Sequence, residues 1–318
     1  MRDPLAALPA EIGTELLVAL RSAVDLEIPE LFTDVVAWAQ TVLLFRNVER
    51  SSLACALDAL AAKLPHYVPL AALETARVVL AAGRLELDIL DLIETPAIDE
   101  TTQGGGIARR YLTHVLDGDE RRATREVLLA LARGMSTPAI HDDVLVPILH
   151  ETGRLWQRNE ISVAQEHLVT AAVERTMAQL MDLLPMQSDG DFSVATACVG
   201  FSQHQVAARM VADAFTLCGW HASYLGGMVP IPDLLDYADH VSVDVLALSA
   251  TLGRDVAPVR QLIAELETRP VAPLVIVGGR GFSLHPSLWR KVGADGCAHS
   301  PMMAVALAND LLAHHNAL

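Results

Sequence analysis

The sequence predicts a multidomain α and α/β chain: an N-terminal all-α module, a four-helix bundle and a C-terminal doubly wound parallel sheet. Three observations carry this. Residues 1–95 repeat apolar side chains at helical spacing, and four further helical stretches joined by short connections follow up to residue 186. From Phe192 onward, short apolar strands alternate with helical runs, the pattern of a parallel sheet with helices on both faces. With 318 residues there is chain enough for two or three domains, and 52% hydrophobic but only 4% aromatic residues means cores of Leu, Ala and Val.

In the first module (1–95), Leu16, Leu17, Leu20 and Val24 fall on one helical face. Helices then run over Leu31–Leu44, Leu53–Leu64 and Leu70–Ala82, with turn signals at Leu64-Pro65-His66 and Ala82-Gly83-Arg84, giving four or five helices. Seven Lys and Arg stand against fourteen Asp and Glu here, so the module is acidic. Residues 96–106, with Thr101, Thr102, Gln103 and three consecutive glycines, read as a mobile linker.

The bundle (107–186) has helices near Ile107–Leu116, Glu120–Gly134, Ala139–Trp156 and Val163–Leu184. Pro147 is expected to kink the third. Ser162 and Gln165 form a capping box that fixes the start of the fourth, so Trp156, Glu166 and His167 crowd one end of the bundle.

The α/β domain (192–318) has strands near Val194–Val199, Ala222–Leu225, Val243–Leu248, Leu274–Val277 and Gly296–Ala298. It is organised around Gly200–Met210, GFSQHQVAARM, which sets His204 between a strand (Ser193–Val199) and an amphipathic helix (Val206–Cys218). Right-handed crossovers align the loops at Ser202–His204, Gly226–Pro230, Ser249–Gly253, Gly278–Gly281 and His299–Pro301 along the carboxyl edge, where ligands bind in such sheets. Taken singly, His204 is a solvated loop histidine and Glu166-His167 a surface pair. Together with Ser249, Thr251, Gly278 and Gly279, small residues that let a large ligand approach the backbone, the loops describe a pocket in which His204 is a metal or cofactor ligand.

A net charge of -16 with no basic face argues against nucleic acid. The amino terminus lacks a signal pattern, and the apolar run Val35–Phe45 is too short for a bilayer, so a cytoplasmic protein without membrane attachment is expected. Cys55, Cys198, Cys218 and Cys297 lack metal-type spacing and read as buried free thiols.

The segment LWQRNEISVAQEH (Leu155–His167), followed by QHQVAARMVADAF and LSATL, resembles the cobalamin-binding light sensors of the CarH type, in which a helical bundle caps a Rossmann-like cobalamin-binding domain. The resemblance covers about residues 107–318. It implies a photoreceptor rather than an enzyme, with adenosylcobalamin between cap and α/β domain, Trp156, Glu166 and His167 around the adenosyl group, and His204 on cobalt. Three residues depart from the family pattern. Ser202 stands where the family has an acid, Ala207 where it has glycine, and Gln157 where light-sensing members carry a second histidine.

Family members usually begin with a basic DNA-reading head, and here an acidic module takes its place. The chain resembles more closely the stand-alone photocobilin group, which implies biliverdin as a second chromophore, held noncovalently. The expected partners are cobalamin, further copies of the chain in light-dependent assembly, and a protein effector. Two alternatives stay open: a corrinoid shuttle of a methyltransferase system, and a degenerate B12-domain interaction module.

Overall fold

The computed structural model describes residues 8–89, 95–184, 190–200 and 202–315; Phe201, inside the stretch around His204, lies outside them. Two compact units form, one from residues 1–40, 49–90 and 187–318 and the other from residues 41–48 and 91–186.

The N-terminal segment forms four helices, α1 (Ala10–Leu26), α2 (Glu30–Leu44), α3 (Arg50–Tyr67) and α4 (Leu70–Glu86). α1 buries Ile12, Leu16, Ala19, Ala23 and Leu26, at spacings of four, three, four and three. Leu17, expected on that face, is 45% exposed because it projects about 100° round the helix from Leu16. Both turn signals lie inside helices. Pro65 falls in the last turn of α3, where it forgoes one amide donor and the helix ends two residues later. Gly83 lies within α4 because a Cβ there would collide with the Phe32 ring.

In the second unit the bundle comprises α5 (Gln103–Leu116), α6 (Glu120–Ala132), α7 (Thr137–Ile140), α8 (Val146–Gln157) and α9 (Val163–Asp182). The expected continuous third helix is instead α7, a π-helical stretch at His141–Leu145, and α8. Pro147 sits in the first turn of α8, where its missing N–H is tolerated, and the wider π turn takes up the strain. Tyr111, Thr124 and Thr176 join α5, α6 and α9 by buried hydroxyl contacts of 2.9 and 3.0 Å. Burial pushes the Tyr111 phenol up to about 12.

The expected mobile linker is only in part irregular. α5 begins at Gln103, capped by the Thr102 side chain, so Gly104–Gly106 are helical. Gly104 is required by packing, since a Cβ would lie 2.6 Å from the Asp143 carbonyl oxygen. Upstream, the Ala97 amide donates to the buried Glu151 carboxylate at 2.9 Å.

The α/β part of the first unit has strands β1 (Ser193–Val199), β2 (His221–Val229), β3 (Val245–Ser249), β4 (Leu274–Gly278) and β5 (Gly296–Ala298). All pairs are parallel, in the order β2-β1-β3-β4-β5. The helices are α10 (Val206–Leu217), α11 (Ile231–Val241), α12 (Val256–Leu266), the short α13 (Arg280–Ser283) and α14 (Leu288–Lys291), and α15 (Pro301–His315). Phe215 of α10 and Val305 and Leu312 of α15 pack with Val194, Val245 and Ile276 on one face of the sheet, where Phe215 meets Trp220 edge to face at 4.8 Å. Gly226–Val229, expected in a loop, continue β2 with two register shifts, Gly226 and Met228 taking positive φ.

The acidic N-terminal helices belong to this same unit and find their cations within it. Glu15 pairs with Arg254 and Asp34 with Arg280. The last carbonyls of α1 accept from Arg260 (Asp25, 2.8 Å) and Lys291 (Leu26, 2.9 Å), so α12 and α14 supply the positive charge that a helix C-terminus favours. Of the four cysteines, Cys198 is buried as expected, but Cys55 and Cys218 are exposed and Cys297 is intermediate.

Candidate functional site

In the strand order β2-β1-β3-β4-β5 the connections diverge at β1 and β3, and the crevice at the carboxyl ends of those neighbours is the topological switch point. His204 follows β1 and Ser249–Thr251 close β3. These two sequence-predicted loops therefore flank the position where open α/β sheets take their ligands.

The His204 loop is held from beneath while its histidine stays exposed. Ser202 is buried and its hydroxyl donates to Asp255 at 3.0 Å; its carbonyl accepts from the Met228 amide at 3.0 Å. The Cys198 thiol donates to the His204 carbonyl at 3.5 Å. Burial, with the nearby Asp255 charge, pushes that thiol up to about 12, so it remains a donor at neutral pH. The extended β2 completes the support: Gln205 accepts from the Gly227 amide at 3.0 Å, and a Cβ on Gly227 would lie 2.8 Å from the Ser202 carbonyl oxygen.

On the neighbouring strands, Ser249 is buried with its hydroxyl lacking a geometrically sound hydrogen bond, and Thr251 is half-buried. The two glycines have a reason internal to the fold. Gly279 has φ +91°, and a Cβ there would meet the Ala250 carbonyl oxygen at 2.5 Å; one on Gly278 would meet that of Ala298 at 2.6 Å. Their small size is required by the approach of the β3, β4 and β5 loops to one another, whatever ligand comes near.

In the other unit, Trp156 occupies the last turn of α8, and Glu166 and His167 lie at the start of α9, the two helices being separated by residues 158–162. The capping box forms as expected, with Ser162 accepting from the Gln165 amide and Gln165 accepting from the Ser162 amide. Glu166 holds the His167 ring at 2.5 Å and accepts from Thr170 at 3.2 Å. His167 is exposed and Trp156 half-buried. Arg46, just past α2, lies with its guanidinium 5.0 Å from the Trp156 ring centroid. It also donates to the Trp156 and Gln157 carbonyls at 3.4 and 3.1 Å, capping the end of α8.

Asp255 and Arg46 are not singled out by the sequence, and Cys198 only as a buried thiol. Asp255 and Ser202 are 53 positions apart, and Arg46 and Trp156 are 110, so no local pattern joins them. Among the described residues no group of three or more His, Cys, Asp or Glu could hold a metal ion. No helix among the described residues is long and apolar enough to cross a membrane.

Residues 107–181 match a family model described as B12 binding domain, and residues 192–306 match a second of the same description. The chain is 29% identical over 241 residues to the HTH-type transcriptional repressor CarA of Myxococcus xanthus, spanning 74% of this chain and 79% of that protein. It is 25% identical over 213 residues to dimethylamine corrinoid protein 1 of Methanosarcina acetivorans, spanning 65% and 100% respectively. The structure of the Methanosarcina barkeri monomethylamine corrinoid protein shares the fold, with a TM-score of 0.56 and 18% identity over 65% of this chain and 98% of that one. The helical segment 107–181 and the α/β segment 192–306 are thus B12-binding domains, of the kind shared by these repressors and corrinoid proteins.

Proposed function

We propose that the chain is a light sensor that binds adenosylcobalamin, with His204 as the cobalt ligand. The observation that carries this reading is the placement of an exposed histidine, braced from below by Ser202, Cys198 and Gln205, at the switch point of a B12-binding sheet. When bound, adenosylcobalamin supplies a cobalt–carbon bond that visible light breaks. The chain's own residues orient and retain the group. His204 offers an imidazole nitrogen, while Ser249 and Thr251 offer hydroxyls and the backbone at Gly278 and Gly279 carries no side chain to bar approach.

Trp156, Glu166 and His167 attend the adenosyl group in this reading. Arg46 lies against the Trp156 ring, and an indole ring packs well with an aromatic base. Glu166 is positioned to accept hydrogen bonds beyond the one from Thr170. Loss of the adenosyl group would remove what these side chains pack against, and the helices carrying them would shift. Biliverdin as a second chromophore, light-dependent self-association and a protein effector belong to the same reading.

A second reading, a corrinoid shuttle of a methyltransferase system, is favoured by the similarity to dimethylamine corrinoid protein 1 along all of that protein's length. Absorption spectra of the purified protein with adenosylcobalamin, kept dark and then illuminated, separate the two. A sensor retains adenosylcobalamin in the dark and converts on illumination. Failure to retain it, with ready loading and turnover of methylcobalamin, favours the shuttle.

A further inference from the structure

The fourth helix is apolar on two sides. α4 buries Ala76, Val79, Leu80 and Gly83 within its own unit. At 100° per residue, Leu70, Glu74, Val78, Ala81 and Leu85 fall within about 80° of one another on the opposite side. Leu70, Val78 and Leu85, with Tyr67 just before the helix and Ile89 just after it, are 53% to 87% exposed. A helix that is apolar all round is normally covered. Five large side chains so exposed present several hundred Å² of surface, of the order of the ~800 Å² that each partner gives to a stable interface.

The charges around this stripe indicate the occupant. Residues 50–89 carry four Lys and Arg and four Asp and Glu, so the whole net charge of -16 lies elsewhere in the chain. Three of the pairs are internal: Arg84 with Asp58 at 3.2 Å, Arg50 with Asp88 at 3.6 Å and Arg77 with Glu74 at 3.7 Å. Two copies of a strongly acidic chain repel each other over most of their surfaces, and least where charge is already balanced. A strongly basic or acidic partner gains no charge complementarity here. The stripe is also nearly symmetric about Val78: Tyr67 and Leu70 precede it much as Leu85 and Ile89 follow it. A twofold contact between identical faces needs such self-complementarity.

We propose that this face of α4 is a self-association surface, on which two copies pack α4 antiparallel about an axis near Val78, with Leu70 of each against Leu85 of the other. The two Arg77 side chains then flank the axis, each beside its own Glu74. The surface belongs to a part of the chain outside both matched B12-binding segments. It gives a place to the self-association in the proposed function, but the packing needs neither cobalamin nor light, so a failure of light sensing leaves it standing.

Sedimentation of the full chain, without cobalamin and in the dark, tests the proposal. Wild type is expected to dimerise with a dissociation constant of about 1–100 μM, the weak end for an interface of this size. Leu70→Arg and Leu85→Glu change exposed positions about 22 Å apart on one helix, so within a single chain they do not meet. Each is expected to raise the dissociation constant about 100-fold with unchanged circular dichroism, because a twofold axis places each change in the interface twice. The double variant is expected to recover most of the wild-type affinity, since the new opposite charges face each other across the axis. A wild type that stays monomeric to about 200 μM overturns the proposal. Biliverdin absorbance that shifts with such a monomer, but not with Leu70→Arg, assigns the face to a bilin instead. A dimer untouched by either single change puts the interface elsewhere and overturns it equally. Loss in both single variants without recovery in the double refutes the antiparallel register.

Discussion

Glu151→Ala is expected to release the segment that precedes the bundle. The Glu151 carboxylate is buried and accepts three hydrogen bonds: from Arg154 at 2.8 and 2.9 Å, and from the Ala97 amide at 2.9 Å. Arg109 lies 4.0 Å away. The Arg154 hydrogen bonds, then the Ala97 amide and the two positive charges, hold the carboxyl below its ordinary range despite burial. Its contribution to stability is therefore present above the ordinary glutamate pKa and lost as the pH falls through the lowered folded value. Truncation removes the buried carboxylate that Arg154, only 16% exposed, pairs with, and breaking a buried pair in this way costs about 3–5 kcal/mol. In amide exchange followed by mass spectrometry, that is an acceleration of about 10²- to 4 × 10³-fold in peptides covering residues 95–106 and α8. Glu151→Gln keeps an acceptor and is expected to lose less. Unchanged exchange across residues 95–106 in Glu151→Ala would refute the anchoring and return this segment to a free joint.

Three further outcomes are expected. Burial pushes Asp213 up to about 6 from 3.8, so the folded chain holds a proton more tightly than the unfolded chain, and stability rises as pH falls from above 6 toward 4. About two pH units correspond to about 3 kcal/mol, and Asp213→Asn should flatten that part of the urea-stability profile; parallel profiles would discount the buried carboxyl. Trp156→Ala should weaken adenosylcobalamin about tenfold more than hydroxocobalamin, with Arg46→Ala following in the same direction, whereas equal losses for both cobalamins would leave Trp156 a packing residue. Light scattering of the adenosylcobalamin-loaded chain should change on illumination, and added biliverdin should gain a shifted absorbance with the full chain; a constant mass and an unshifted bilin, with tight salt-dependent binding of duplex DNA, would restore a promoter-binding role.

What could be read from the sequence was what neighbours along the chain decide. The Ser162–Gln165 capping box needs only residues three apart, and the alternation of apolar strands and helical runs gave the parallel sheet with His204 at its carboxyl edge. Signals that depend on a distant partner were misread. The Gly104–Gly106 run reads as flexible until Asp143, 39 positions from Gly104, is seen to press against it. Gly83 reads as a turn until Phe32 fills the space above it. Gly226–Val229 reads as a loop because a bulged strand has no strict alternation. In the acidic first 95 residues, Glu15 and Asp34 find Arg254 and Arg280 within the same unit, at separations no local pattern shows. Ser202, where the resemblance expects an acid, hydrogen-bonds to Asp255 from the loop after β3, 53 positions away.

The most direct test of the account is the visible spectrum of hydroxocobalamin bound to the wild-type chain and to His204→Ala. The exposed imidazole at the switch point predicts a histidine-ligated spectrum in wild type that is lost, or accompanied by strongly weakened binding, in the variant. An identical histidine-ligated spectrum in His204→Ala would contradict the assignment and move the ligand to another residue.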